Sequence, residues 1–513
     1  MSDDEPQPEQ SVPPPAKPGP VRRVISRVRR PDRVHMAVLS QRVPYWFVAA
    51  FLFAFSVVQI ELNPFGFSDL TQRYTQDIAD LLITGPYFYG TEGRDKVSVA
   101  LVDEDTLHST QQPWPWDFGT HARVLDAILL DRPRAVVVDF LFVDPRPDPT
   151  LPQILQTIAD YRKAGVPLYF EGGILLPYGE VPIRSEIART GVPVLDPSIP
   201  VYNGVSRQYY VKAKCMSGVR PQPGGGCLSA AVQVFHDVYG GKYPLEPLNG
   251  DLELTWGTKS DPINAKWMTR TDENGARASC LDTTPPLKRI YLAFFDTSSV
   301  QNLCPYTGEI PVQSLLSGDV DDPDVVKLVR DRVVFYGGSL EGAQDKSYSP
   351  VNGLIPSVFV HAMAMDNLIT YHGRPQQNVM TVAGTVLSNN PAQIAAIIPV
   401  ILVLTWLHMQ RLRRRRRMAA REGHARSATF EYFLDKTIEK VWHWLAFGLA
   451  LGVGLLLTLA SGLSVANWVE VVFVSVELAA MLLVGLPDSV WGYLHHVAAG
   501  QEPPEPPAGE QAA

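Results

Sequence analysis

Asp103 and Asp139 each close an apolar run rich in β-branched residues, "VSVALVD" and "AVVVD". In an open parallel sheet, a polar residue placed directly after such a strand sits at the carboxyl edge, where ligands usually bind. Two carboxylates converging there could coordinate a cation or an amine-bearing ligand. Equally, each could cap the helix that follows it, and the residues alone leave both readings open. The nearby "WPW" sets Trp114 and Trp116 on either side of a stiff Pro115, which suits stacking on an apolar ligand or plugging a core. His121 and His361 could titrate near neutral pH or ligate a metal, although a lone histidine beside a helix start is more often a satisfied structural group. Asp103, Trp114, Trp116, His121, Asp139 and His361 are therefore the candidate ligand-binding residues, with no metal assigned to them.

Catalysis is not expected. The region holds no GxSxG elbow and no convincing triad. The glycines of "YGGSLEGAQDKS" follow an apolar run and could cradle an anion. They lack the spacing of a dinucleotide fingerprint or a P-loop, so no nucleotide or other cofactor is expected.

Four short runs would carry these residues: "KVSVALVDED" (Lys96 to Asp105), "RAVVVDFLF" (Arg134 to Phe142), "VPLYFEGGIL" (Val166 to Leu175) and "RVVFYGGS" (Arg332 to Ser339). Between the first two, Ala122, Leu125, Ile128 and Leu129 recur at helical spacing. Between the second and third, "DPTLPQILQTIADYRKAG" opens with Asp148 near an N-cap position and stops at Gly165. Strands alternating with helices predict an α/β fold built on a parallel sheet. From about Leu176 to Pro286 the pattern gives way to Pro, Gly and polar residues, which read as an elaboration on that sheet.

The averages of the whole chain conceal its organisation. A net charge of -8 and a hydrophobic content of 46% over 513 residues describe an ordinary acidic globular protein. Basic and apolar residues are nevertheless segregated into blocks, as in a membrane protein. Pro44 to Leu62 is uncharged until Glu61 and long enough to cross roughly 30 Å of hydrocarbon. It is too long, and too far from Met1, for a signal peptide, and no small-residue cleavage pattern follows it. Three further blocks, Pro391 to Met409, Trp444 to Leu463 and Asn467 to Leu486, are near spanning length, with Trp406, Trp442, Trp444 and Trp468 near the expected interfaces.

Loops rich in Lys and Arg are retained in the cytoplasm. Arg22, Arg23, Arg27, Arg29, Arg30, Arg33 and Arg42 precede the first span, and Arg411 with Arg413, Arg414, Arg415, Arg416 and Arg417 follow the second. Two spans between the basic blocks put both on one side, so the intervening chain lies on the other. The expected order is a cytoplasmic disordered tail (1–43), a span (44–62), a periplasmic domain (63–390), a span (391–410), a cytoplasmic basic loop (411–443), two spans (444–463 and 467–487) and a cytoplasmic tail (488–513). All four cysteines, Cys215, Cys227, Cys280 and Cys304, fall in the periplasmic segment, where an even number reads as disulfides. Of three connectivities, proximity favours Cys215 with Cys227 and Cys280 with Cys304. Zinc is disfavoured because no CxxC spacing occurs.

The segments "VALVDEDTL", "QPWPWDFGTHARVLDAIL", "AVVVDFLFVDPRPDPTL" and "RVVFYGGSLEGAQDKSYSPVNGLIPSVFVHAMAMDNLIT", in this order, resemble the CHASE2 domain, an extracytoplasmic sensory module of bacterial membrane receptors. The resemblance covers roughly 63–390 and extends to one span before the domain and about three after it. By resemblance, Asp103, Trp114, Pro115, Trp116, His121, Asp139, Phe142, Asp345, Pro350 and His361 occupy the family's motif positions. Ser357 stands where the family usually carries Gly, and the cysteine-bearing stretch is longer than a minimal member needs. Members commonly carry a kinase or cyclase module after the last span; here residues 488–513 read as a short helix and a tail.

The resemblance implies an inner-membrane sensor that binds a small ligand or an envelope protein and signals through a separate cytoplasmic or membrane output protein. A structural scaffold of an envelope assembly is the alternative, and a metal enzyme using Asp103 and Asp139 is a third reading. The arginine run touches anionic lipid headgroups rather than nucleic acid, because no aromatic residues interleave it. Arg413 to Arg417, with Glu470 and Glu477 of the last apolar block, are the candidate partner-binding residues; carboxylates inside a span usually face protein or water. Gly448 and Gly452 have the spacing of close helix packing, within the chain or in a homodimer or larger oligomer.

Overall fold

The computed structural model describes residues 43–62, most of 77–421 and 465–498, together with Gly448 and Gly452. It divides into two compact units, one drawn from Ser56–Ile398 and Leu449–Val474, the other from Met1–Phe55, Pro399–Gly448 and Ser475–Ala513.

The first unit is built on six parallel strands: β1 (Val97–Asp103), β2 (Ala135–Val138), β3 (Leu168–Glu171), β4 (Val194–Leu195), β5 (Gly308–Pro311) and β6 (Val333–Ser339), in the spatial order β5-β1-β6-β2-β3-β4. The register puts Ala100 opposite Tyr336 and Tyr336 opposite Val138, so β6 separates β1 from β2. Strands buried on both faces read as near-continuous apolar runs, and β1 is buried from Val97 to Val102. Its side chains alternate between two cores. Val97, Val99 and Leu101, with Val137 and Phe335, face α4 (Ala230–Tyr239) and α7 (Val358–Thr370). Ala100 and Val102, with Val136, Val334 and Tyr336, face α2 (Phe118–Leu130), α3 (Leu151–Ala164), α5 (Val312–Leu316) and α6 (Pro323–Val329).

Strand, helix, strand, helix, strand from β1 to β3 agrees with the alternation in the sequence, with one short helix added directly after β1, α1 (Glu104–Thr110). Local chemistry fixes the helix starts. Asp117 caps α2, its side chain accepting from Thr120 N–H at 2.7 Å. Helix α3 is capped at Thr150, two residues after Asp148. The Asp148 carboxylate accepts from Thr150 N–H at 2.8 Å and from Phe118 N–H at 2.9 Å, tying the first turns of α2 and α3 together. Helix α3 ends at Gly165, whose φ of 71° is the left-handed conformation that favours glycine.

The region after Leu176 is more than an elaboration. It supplies edge strand β4, helix α4 on one sheet face, and the short strand Gln208–Tyr209, paired with Leu252–Glu253. Cys215–Cys227 and Cys280–Cys304 are both bridged, with Cα separations of 5.2 and 4.9 Å. The pairing favoured by proximity is the one observed.

In the second unit, Trp491 packs against Phe47 at 4.7 Å and Trp46 at 6.1 Å, and Tyr45 donates a hydrogen bond to the Leu402 carbonyl at 3.3 Å. Buried His408 pairs with Asp488 at 3.3 Å. Among the described residues no single helix is long and apolar enough to cross a membrane; Val474–Leu482 and Leu486–His495 meet that test only together, with a 57° bend. The first expected span is the helix Tyr45–Val57 continued by a π-helical turn, Val58–Leu62. The second lies within the helix Asn389–Arg421, and the fourth largely within Val465–Val484. The tail before residue 43 and, apart from Gly448 and Gly452, the block Trp444 to Leu463 lie outside the described residues.

Candidate functional site

At the carboxyl edge of the sheet, neighbouring strands present two acids. Asp139 follows the last residue of β2, its N–H still donating to the Tyr336 carbonyl at 2.8 Å, and Glu171 is the last residue of β3. His361, in the first turn of α7, comes down onto them from one sheet face. One ligand atom from each of Asp139, Glu171 and His361 lies within 4.8 Å of the other two. Gly337 of β6 makes this approach feasible: a Cβ there would meet Val358 Cβ at 2.9 Å and Asp139 Oδ2 at 3.1 Å. A larger residue would push α7 and its histidine away.

Burial dominates the electrostatics. Glu171 and His361 are buried, while Asp139 is half-buried with its Oδ2 shielded. Removal from water raises Glu171 well above the usual carboxylate range, and Asp139, Asp345 and Asp196 push it further. Desolvation likewise pushes Asp139 up to about 7, opposed by its hydrogen bond with Glu171 and reinforced by Asp345. His361 is held down to about 3 by burial, so its imidazole is neutral. Its Nδ1 is 2.6 Å from the Tyr209 hydroxyl, whose oxygen also accepts from Ala231 N–H at 3.1 Å, at the start of α4. Among the described residues, Glu171 Oε1 and Asp139 Oδ2 have no hydrogen-bond partner, nor does the shielded Oδ2 of Asp196, which follows β4. A neutral imidazole and two carboxylates around a common point can hold a cation or a proton.

The six candidate ligand residues do not form one site. Asp139 and His361 meet, and Glu171 and Tyr209 join them. Asp103 caps α1: its Oδ1 accepts from Thr106 N–H at 2.8 Å within a capping box. The capping reading thus describes Asp103, and the pairing of Asp103 with Asp139 across β6 is replaced by that of Asp139 with Glu171 on adjacent strands. Trp114, Trp116 and His121 form an aromatic plug with Phe140, Phe142 and Tyr336. His121 Nδ1 is 2.9 Å from the Tyr336 hydroxyl, and burial holds the ring down to about 3. Trp116 is buried, whereas Trp114, joined to Pro115 by a cis peptide, is 37% exposed. The plug belongs to the core on the α2 side, and Tyr209 belongs to the core on the α7 side.

Glu171 was visible in the sequence as an acid closing the run "VPLYFE", the same signal that marked Asp139. Tyr209, in a two-residue strand, left no periodic trace. Arg413 is exposed and Glu477 partly buried; the side chains of Arg414 to Arg417 and of Glu470 lie outside the described residues. Among the described residues, a Cβ added at Gly448 or Gly452 would meet no atom within 4 Å.

No curated protein and no solved structure was found similar to the chain. The CHASE2 domain model matches residues 45–404, which contain every strand of the sheet and the whole Asp139–Glu171–His361 cluster. CHASE2 domains are extracytoplasmic sensory modules rather than catalytic ones, and two disulfides fit a periplasmic location. The chain belongs to the CHASE2 domain family.

Proposed function

We propose that the chain is a bacterial inner-membrane sensor whose periplasmic α/β domain binds a small ligand or envelope partner and passes its state to a separate output protein. The family match over residues 45–404 carries this reading. Supporting it are the disulfides, which persist in oxidising compartments, and the positive residues flanking the apolar blocks, which favour a cytoplasmic position for both termini and for the arginine segment. In this reading the four apolar blocks cross the membrane, residues 63–390 are outside, and the protein acts by binding rather than by turnover. The output partner docks on Arg413 to Arg417 or on the helix carrying Glu477.

Ligand specificity would reside where the domain gathers polar groups at the carboxyl edge of its strands, as open α/β sheets generally arrange it. The compartment is tested by fusing a reporter at Gly250: a periplasm-active phosphatase is expected to be active and a fluorescent protein that matures only in the cytosol to be dark. A bright cytosolic fusion would overturn the topology. Partner docking is tested by charge reversal of Arg413 to Arg417 and by Glu477→Leu, both expected to abolish co-purification of the output protein from full-length chain; unchanged co-purification removes the proposed docking surface.

A further inference from the structure

We infer that Asp139, Glu171 and His361 form a binding site for a divalent first-row transition metal, zinc by preference. The claim stands on geometry. His361 Nε2 and Glu171 Oε1 are 3.4 Å apart, and Glu171 Oε1 has no hydrogen-bond partner among the described residues. Nitrogen and oxygen ligands about 2.0–2.2 Å from a tetrahedral zinc are separated by about 3.3 Å along the tetrahedron's edge. That edge is close to the observed separation, whereas a strong N–H···O bond would be nearer 2.9 Å.

The carboxylate oxygens behave in the same way. Among the described residues Asp139 Oδ2 is shielded from solvent and unpartnered, as is Glu171 Oε1, and Asp139 and Glu171 are the two residues that each bring a carboxylate oxygen within 4.8 Å of a His361 ring nitrogen. Buried acceptors left without a donor are rare and call for an explanation. A cation satisfies both oxygens at once. Three further acids, Asp139, Asp345 and Asp196, lie close enough to act on Glu171.

Tyr209 completes the arrangement. Metal-bound histidines usually hold their second ring nitrogen in a hydrogen bond that orients the ring. Here the Tyr209 oxygen takes one hydrogen bond from Ala231 N–H, and its other lone pair can accept His361 Nδ1–H, which leaves the Nε2 lone pair directed at the two carboxylates. Imidazole among the ligands selects zinc over calcium or magnesium, which prefer all-oxygen sites. The binding claim is independent of membrane topology and of any signalling role.

The test uses full-length protein in detergent, stripped with a chelator and dialysed against zinc or cobalt. Wild type is expected to retain one equivalent of zinc by elemental analysis, and the cobalt form to show the visible absorption of a low-coordinate nitrogen–oxygen site, displaced by equimolar zinc. Glu171→Gln and His361→Asn are expected to weaken zinc binding at least about 100-fold, and Tyr209→Phe by about 10–100-fold, the range typical of losing an outer partner of a ligand. Asp103→Asn, which keeps the α1 cap, leaves zinc uptake unchanged. Stripped wild type that takes up neither metal overturns the site, and so does zinc uptake in the Glu171 and His361 variants equal to that of wild type. The cobalt spectrum of wild type decides the matter even where a variant fails to fold.

Discussion

The Tyr209 hydroxyl lies 2.6 Å from His361 Nδ1, joining residues 152 positions apart in the chain. It also receives the Ala231 N–H at the head of α4, so one phenol couples the two helices that cover this face of the sheet. Tyr209→Phe leaves the His361 nitrogen and the Ala231 N–H buried without their partner. A loss of about 1–3 kcal/mol is expected for an orphaned buried polar group. Urea unfolding of the purified full-length protein measures it, and a midpoint equal to that of wild type would show that the hydroxyl is not needed.

Asp103 separates capping from ligand binding. Asp103→Ala removes the acceptor of the Thr106 N–H, with an expected loss of about 0.5–2 kcal/mol, whereas Asp103→Asn retains most of it because asparagine caps about as well. Thermal denaturation of the two variants side by side reads the difference. If asparagine proves as damaging as alanine, the carboxylate charge has a role beyond the cap.

Asp366 predicts the sign of a pH dependence. Burial, opposed by hydrogen bonds from Tyr89 and Thr370, pushes its carboxyl up from 3.8 to about 7. The folded chain therefore holds a proton there that the unfolded chain releases at lower pH. Its contribution is fully present below the unfolded value and is lost as pH rises through about 7. Asp366→Asn is expected to flatten the fall in stability across that window. An unaltered slope between pH 4 and 7 would mean that other acids, Glu309 among them, set it.

The two disulfides are expected to differ in worth. Cys280–Cys304 closes a separation of 24 residues and Cys215–Cys227 one of 12. Opening either by Cys→Ser pairs is expected to cost about 2–5 kcal/mol. In the chain-entropy account a doubling of loop length adds about 0.6 kcal/mol, so loss of Cys280–Cys304 is the more damaging. Equilibrium unfolding of the two double-serine variants checks the order, and the reverse order would point to native contacts around the shorter bridge rather than chain entropy.

Some of this architecture was legible in the residues, for a physical reason. β1, β2, β3 and β6 are buried on both faces and therefore carry long apolar, β-branched runs, while α2 and α3 bury one stripe and carry helical periodicity. Edge strands β4 and β5 escaped because "VL" and "GEIP" are too short to display a period. The composition of the site was half legible: Asp139 and His361 stood out, and Glu171 had the same strand-closing signature without being chosen. What could not be read was adjacency. Asp103 and Asp139 end consecutive strands of the chain, yet β6 separates them in space, and Asp139 instead neighbours Glu171 on the adjacent strand.

That same late-arriving strand makes completion of the domain all-or-none. β6 is the sixth strand in order of synthesis but sits third in the sheet, hydrogen-bonded to β1 on one side and to β2 on the other. Until Ser339 has emerged, the first two strands have no shared neighbour, and each offers a bare ribbon of amides and carbonyls to any passing chain. A chain that stops short of that point leaves both inner edges unpaired, whereas in the folded domain β6 occupies the gap and pairs with both neighbours.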